Sequence, residues 1–535
     1  MDRTFLWWQT GIIYQIYPLS FKDSNGDGIG DIRGIISKLD YLAWLGVTAL
    51  WISPLYVSPM ADFGYDISDY TAINPLFGTM DDFDRLLREI HSRRMRLIMD
   101  FVPNHTSNRH PWFIESRSSA DNPRRGWYIW QGPAPGGGPP NNWLSSMGGP
   151  GWELDQATGQ YYYHGFLKEQ PDVNWRDPGL QKAFLDVMRF WLDKGVDGFR
   201  VDVMWHLIKD DEFRDNPPNP EYREGSMLSS MRLLPAYSAD RPQVLDVVAL
   251  MRDVIDEYDE RVLIGEVYLP VNELVDYYGE KQKGAHLPAN FQLLLLPWNA
   301  MEIFAGISKY EASLPQGGWP NWVLGNHDRT RVTSRIGRNQ ARVAAMLLLL
   351  LRGTPTMYYG DEIGMSDVMI PRRNMLDPAE QQRDPQRTPM QWGSGRAAGF
   401  TTGKPWLPVD EESARYNVES EKRDPGSMLN FYRSLIRLRQ SEPSLQTGDY
   451  WPVGVEGNIL AFIREDLDHR MRFLVVLNLG HDPGTFTIPA RFPVRCKVVF
   501  ATDSRLIGGI AEGEIGLRGA EGMVAEIVSW KKEKK

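Results

Sequence analysis

Cysteine is almost missing from this chain. Cys496 is the only one, so no internal disulfide can form, and nothing calls for an oxidising compartment. Long hydrophobic runs are also missing. The longest purely apolar stretch, Val343–Leu351, falls far short of the roughly 20 residues that a spanning helix needs, and reads as a buried helix. Met1–Thr10 has no basic region followed by a long apolar core, which argues against a signal peptide and makes the cytoplasm the default expectation. Positive charge is not in excess. The net charge of -10 and the pI near 5.5 disfavour a nucleic-acid partner, which calls for a basic face. The nine histidines form no HExxH pair, a single cysteine excludes a Cys-rich zinc site, and there is no Walker loop. The triple glycine of PAPGGGPP follows no strand and opens no helix, so it reads as a flexible loop. No internal repeat is evident.

Hydrophobic residues make up 42% of the chain, enough for a large core. Strand-like and helix-like segments alternate from the start. Gly11–Phe21, Ala49–Pro54 and Arg96–Val102 read as strands, with helical spacing over Ile32–Leu45 and Asp81–Arg94 between them. Residues 106–174 break this rhythm with Gly, Pro, Trp and Asn, and read as a subdomain inserted after the third strand. Alternation resumes with a helix over Leu180–Lys194. Strands follow at GFRVDV, Val262–Tyr268, Asn290–Leu296, Asn321–Asn326 and Thr354–Gly360. Eight strands in βα units predict an α/β fold, a (β/α)8 TIM barrel built from residues 1–105 and 175–450. After about Trp451, short strands such as NILAFIRE and RFLVVLNLG predict a C-terminal antiparallel β-sandwich over 451–535, ending in a solvated KKEKK tail.

Several of these strands end in acids. LIMDFVPNH carries Asp100, Asn104 and His105, GFRVDV carries Asp202, VLIGEVY carries Glu266, and VLGNHD carries His327 and Asp328. A lone Asp at a strand end is ordinarily a turn or cap residue. Four strand ends converging at one mouth of a parallel barrel gather the paired carboxylates that glycosidic cleavage uses. Arg200 lies two residues before Asp202, on the same face of the strand. Its charge is expected to lower the pKa of Asp202 and keep it ionised as a nucleophile. Glu266, if more desolvated, would stay protonated and donate to the leaving oxygen. The chain's 12% aromatic content supplies a core, and ring faces on which sugars can stack.

The blocks Asp100-Phe-Val-Pro-Asn104-His105, Gly198-Phe-Arg-Val-Asp202, Gly265-Glu266 and Asn326-His327-Asp328 resemble, in order, the four signatures of glycoside hydrolase family 13, the α-amylase family. Gln170-Pro-Asp-Val-Asn174-Trp175, Tyr358–Met365 and Arg387–Trp392 resemble blocks of its α-glucosidase and oligo-1,6-glucosidase branch. The resemblance implies Asp202 as nucleophile, Glu266 as acid/base and Asp328 as transition-state stabiliser. It also implies Asp62, Tyr65, His105, Arg200, His327 and Arg383 as holders of the non-reducing-end glucose, Arg383 being chosen over Arg387; Phe166 is read as an apolar wall or a packing residue. It implies no cofactor for catalysis, a small sugar as substrate, no membrane, and a monomer or homodimer.

Two features refine this reading. Val203, next to the nucleophile, resembles α-1,6-preferring members, whereas the loop Phe213–Glu221 resembles one in broad-specificity α-glucosidases, some of which transfer glucose. The alternatives are therefore a transglucosylase or a sucrose- or trehalose-type isomerising relative, and, from another class, a non-catalytic scaffold, which would lack one of the acids. Separately, Asp23, Asn25, Asp27, Ile29 and Asp31 place oxygen donors at alternate positions, as hard cations need. The loop is not an EF-hand, since its twelfth position is Gly34 and a strand precedes it. The resemblance implies structural Ca2+ or Mg2+ here; the alternative is a metal-free turn held by side-chain-to-backbone hydrogen bonds.

Overall fold

A computed structural model describes residues 5–490, 492 and 494–530; the KKEKK tail lies outside them. Eight parallel strands close into a barrel in sequence order: β1 (Ile13–Ile16), β2 (Ala49–Ile52), β3 (Arg96–Phe101), β4 (Gly198–Val201), β5 (Val262–Val267), β6 (Leu287–Asn290), β7 (Asn321–Val323) and β8 (Thr354–Tyr358). Helices such as Met80–Ser92, Pro178–Asp193 and Val244–Ile255 connect them and cover the outside. Met80–Ser92 starts where it does because Thr79 and Asp82 cap each other. The Thr79 hydroxyl accepts the Asp82 N–H, and the Asp82 carboxylate accepts the Thr79 N–H.

The interior divides by height along the strands. At the N-terminal end Ile13, Ala49, Ile98, Val262, Leu287 and Val323 pack with Trp8 and Trp319 into an apolar plug. Further towards the C-terminal ends of β1, β3, β4 and β5 the buried side chains turn polar: Gln15, Asp100, Arg200 and Glu266, with Gln15 and Asp100 two residues beyond Ile13 and Ile98, and Glu266 four beyond Val262, on the same face. Asp100 and Arg200 are register partners on β3 and β4, so they are neighbours by construction of the sheet.

Three sequence expectations are corrected. The sixth strand is Leu287–Asn290 rather than Asn290–Leu296. The Asn290 side chain accepts the Gln292 N–H, and the apolar run that looked like a strand turns into the helix Gln292–Leu295. Strand β1 stops at Ile16, because Pro18 at the first helical position starts a helical turn, Pro18–Phe21. The helix over 32–45 is broken into Ile32–Ile36 and Leu39–Leu45.

The inserted segment carries the helix Pro111–Ser118 and a small antiparallel sheet of Trp130–Gln131, Gln160–Tyr163 and Trp152–Asp155. The C-terminal sheet begins at Asp449 and has six antiparallel strands. One face, with Phe462, Phe473 and Val475, joins the core of the barrel. The other, with Ile463, Leu474 and Cys496, is covered by the two-stranded sheet of Gly484–Thr487 and Glu514–Leu517, which completes the sandwich.

Candidate active site

The polar layer opens at the C-terminal mouth of the barrel into a cavity of about 240 Å3, lined by Asp202, Glu266 and Asp328 together with Asp62, Tyr65, His105, Phe166, Val203, His327 and Arg383. Arg200 lies beneath them, buried. A larger cavity of about 630 Å3 sits at the seam between the barrel and the C-terminal sheet and contains none of the strand-end acids.

One guanidinium organises three carboxylates. Arg200 Nη1 donates to Asp100 Oδ1 at 2.8 Å and to Asp202 Oδ1 at 2.7 Å, and Nη2 lies 2.7 Å from Glu266 Oε2. Trp51 Nε1 and the Tyr65 hydroxyl donate to the other oxygen of Asp100, and Arg200 rests over the Trp51 ring. Burial pushes Asp202 well above the usual carboxylate range. Arg200 pulls it down, while the charges of Glu266 and Asp100 push it up further. The expectation that Arg200 would hold Asp202 low is thus corrected: the contact is there, but desolvation outweighs it in the open pocket. Asp100 is raised to about 6, again chiefly by burial.

Asp328 sits in the opposite balance. Burial raises it, but the charges around it win and hold it below the usual range. Arg387 Nη2 donates to its Oδ1 at 2.8 Å, Arg383 Nη1 at 3.3 Å, and His327 Nε2 lies 3.3 Å from Oδ2. Burial pushes His327 well below its usual pKa, so it is neutral and the two arginines supply the charge. Gln15 Nε2 lies 2.8 Å from His327 Nδ1. An amide nitrogen is a donor, which leaves Nδ1 as the acceptor and assigns the ring proton to Nε2. Tyr65 stacks on the same imidazole with ring centroids 5.3 Å apart.

Arg383 also donates to Asp62 Oδ1 at 2.7 Å and makes a two-pronged contact with Asp377. Arg387, passed over in favour of Arg383, is the nearer arginine to Asp328. The inserted segment completes this end of the cavity. Gln170 Nε2 donates to Asp62 Oδ2 at 3.0 Å and lies 3.1 Å from His105 Nε2. Asp172 forms a buried ion pair with Lys209, whose ammonium also donates to Asn104. Phe166 packs its ring against His105 and His206. Across the mouth, the loop after β4 meets the loop after β8 where Ser229 donates to Glu380, and the Glu380 N–H donates to the Met147 carbonyl of the inserted segment. Gln15, Asp172, Lys209 and Glu380 were not read as site residues from the sequence. Gln170 and Asp172 do lie in the Gln170–Trp175 block, which was the available signal.

The five residues read as cation ligands lie elsewhere, on the loop after β1. The three carboxylates among them accept hydrogen bonds from the protein: Asp23 from the N–H groups of Asn25, Gly26 and Gly28 and from Thr401, Asp27 from Asn25 and Ile29, and Asp31 from Ser24 and Gly34. Among the described residues no three His, Cys, Asp or Glu side chains are grouped as metal ligands.

The model of the α-amylase catalytic domain matches residues 15–448. This chain belongs to the α-amylase family of glycoside hydrolases. It is 41% identical to an α-glucosidase of Culex pipiens over 89% of this chain and 82% of that protein. It is 37% identical to an oligo-1,6-glucosidase of Parageobacillus thermoglucosidasius over 98% and 100%. Among solved structures it superposes on the α-glucosyl transfer enzyme XgtA with a TM-score of 0.93 at 38% identity, covering 98% of this chain and all of that one. It superposes on the trehalulose synthase MutB of Pseudomonas mesoacidophila with a TM-score of 0.89 at 34% identity, again over 98% and 100%. In this glucosidase-like member of the family, the catalytic domain spans the strand-end acids and the inserted segment together. Among the described residues no helix is long and apolar enough to cross a membrane.

Proposed function

We propose that this enzyme is a retaining, exo-acting α-glucosidase. It takes short α-gluco-oligosaccharides or disaccharides, cleaves α-1,6 or α-1,4 bonds at the non-reducing end, and passes through a covalent glucosyl-Asp202 intermediate. The observation that carries this reading is the shape of one end of the cavity. Asp62, Arg383, His105 and Gln170 join into a wall that fits one terminal glucose, where an endo-acting enzyme needs an open cleft. Asp202 and Glu266 bind the two terminal nitrogens of a single guanidinium. That closeness suits the retaining separation of about 5–5.5 Å.

In this mechanism Glu266 protonates the glycosidic oxygen as Asp202 attacks C1. The positive charge developing on the sugar ring favours the ionised form of Asp202, offsetting the burial that raises it in the open pocket. Asp328, held ionised by its two arginines, and neutral His327 accept and donate hydrogen bonds to ring hydroxyls. Water, activated by Glu266, then releases glucose with retained configuration.

A sugar in place of that water gives transfer. The likeness to XgtA and to a trehalulose synthase favours this second reading, and the Ser229–Glu380 bridge at the mouth supports short acceptors. A scaffold role is not favoured, since all three acids are present and clustered. Initial rates on isomaltose, maltose and sucrose test the proposal, and products at high substrate concentration separate hydrolysis from transfer; no turnover on any of the three would overturn it. We also propose a structural Ca2+ or Mg2+ at the Asp23–Asp31 loop, on the strength of its all-oxygen donor set. A chelator should then lower the Tm and added cation restore it; an unchanged Tm would leave the loop to its hydrogen bonds.

A further inference from the structure

The turn that leaves β4 carries the most unusual backbone at the pocket. Val203 has φ 37° and ψ 47°, a left-handed conformation that β-branched residues rarely adopt. Its neighbours hold it there. The Val203 carbonyl accepts the His206 N–H at 2.8 Å, and the Val203 N–H donates to Glu266 Oε2 at 2.8 Å. The next residue, Met204, is fully buried. Its sulfur occupies the place of a side chain on Gly265, since a Cβ there would lie 2.5 Å from Met204 Sδ. The strained turn after β4 is therefore interlocked with two consecutive residues at the end of β5. Gly265 leaves room for Met204, and Glu266 receives the Val203 N–H.

This arrangement makes the two oxygens of Glu266 unequal. Oε2 accepts the Val203 N–H and lies 2.7 Å from Arg200 Nη2 in an ion pair. Oε1 takes no hydrogen bond from the described residues. We propose that Val203, through its backbone N–H, and Met204, through its fit against Gly265, are positioning residues for the acid/base, anchoring Oε2 so that Oε1 is the oxygen that exchanges the proton. As the C1–O bond breaks and the bond from Asp202 to C1 forms, Oε1 gives its proton to the leaving oxygen. As water or a sugar hydroxyl attacks C1 and the Asp202 ester breaks, Oε1 takes a proton back. The proposal rests on the assignment of Glu266 made above.

Gly265→Ala, Met204→Ala and the double variant test it on two substrates: isomaltose or maltose, whose leaving sugar needs a proton, and α-glucosyl fluoride, whose leaving fluoride needs little help. Gly265→Ala should lower kcat/KM on the disaccharide by ~100-fold, the scale of general acid catalysis, and on the fluoride by less than about 5-fold. Removing the Met204 side chain in the double variant should recover at least about 10-fold of the disaccharide rate. Equal losses on both substrates, or no recovery in the double variant, would overturn the proposal. If Gly265→Ala does not fold, Met204→Ala decides alone: a loss confined to the disaccharide supports the proposal, and an equal loss refutes it. Glu266→Gln separates the underlying assignment, because if it spares the disaccharide as well as the fluoride, Glu266 itself is not the acid.

Discussion

The two ends of the barrel are built from the same eight strands and do opposite things. At the N-terminal end the inward positions hold Ile13, Ala49, Ile98, Val262 and Leu287 under Trp8 and Trp319, and such hydrogen bonds as form there join uncharged groups. Trp319 Nε1 donates to Thr354 Oγ1 at 3.0 Å, and the Leu263 N–H donates to His286 Nδ1. At the C-terminal end of the same barrel, Asp100, Arg200 and Glu266 are as deeply buried but charged, with one guanidinium set against three carboxylates. Burial is comparable at both ends; what differs is what is buried. The lower layer draws stability from apolar area. The upper layer gives up stability to keep ionisable groups out of water, where burial pushes Asp100 and Asp202 above the usual carboxylate range.

Substitutions at the two ends should separate these contributions. The largest effect is expected at the top: Asp202→Asn and Glu266→Gln should each lower kcat on a disaccharide by ~10³-fold or more while leaving the Tm within a few degrees. Near-wild-type turnover in either variant would remove it from the role given. At the bottom, Trp319→Ala should do the reverse. Loss of a buried indole costs about 3–5 kcal/mol of stability, seen as a lower denaturation midpoint, with kcat changed by less than about 2-fold. A large fall in kcat at full stability would mean that the ends are coupled.

The smallest effect concerns pH. Burial pushes His286 down to about 3, whereas a histidine in the unfolded chain titrates near 6.5. Between those values the unfolded state takes up a proton that the folded state refuses, so stability falls as the pH drops through that window. His286→Gln, which keeps an acceptor for Leu263, should flatten the fall of Tm between pH 7 and 4 by ~1–3 °C. An unchanged slope would assign the acid sensitivity to other groups, such as His206, which burial also lowers to about 3.

Much of this comparison was legible in the sequence because it depends on local pattern. Arg200 and Asp202 face the same way because they are two apart on a strand, and the acids stand where apolar runs stop. What stayed illegible depends on chain segments meeting from afar. Arg387 reaches Asp328, Gln170 crosses from the inserted segment to Asp62, and Glu380 meets Ser229 over the mouth, none of which has a periodicity to betray it. The sixth strand was misplaced for a related reason. Leu287-Pro-Ala-Asn290 is short, and the longer apolar run after it helps to build the core as a helix. The rise of Asp202 could not be read from its neighbour Arg200 either, since desolvation is set by the whole barrel mouth.

The central claim is that Asp202 becomes covalently glucosylated. Incubating the enzyme with 5-fluoro-α-glucosyl fluoride, digesting it and sequencing the labelled peptide by mass spectrometry tests this directly. The account predicts one sugar per chain, attached to Asp202 within the peptide that contains Gly198–Asp202. A label on another residue, or turnover of the reagent with no covalent adduct while the enzyme still cleaves disaccharides, would contradict it.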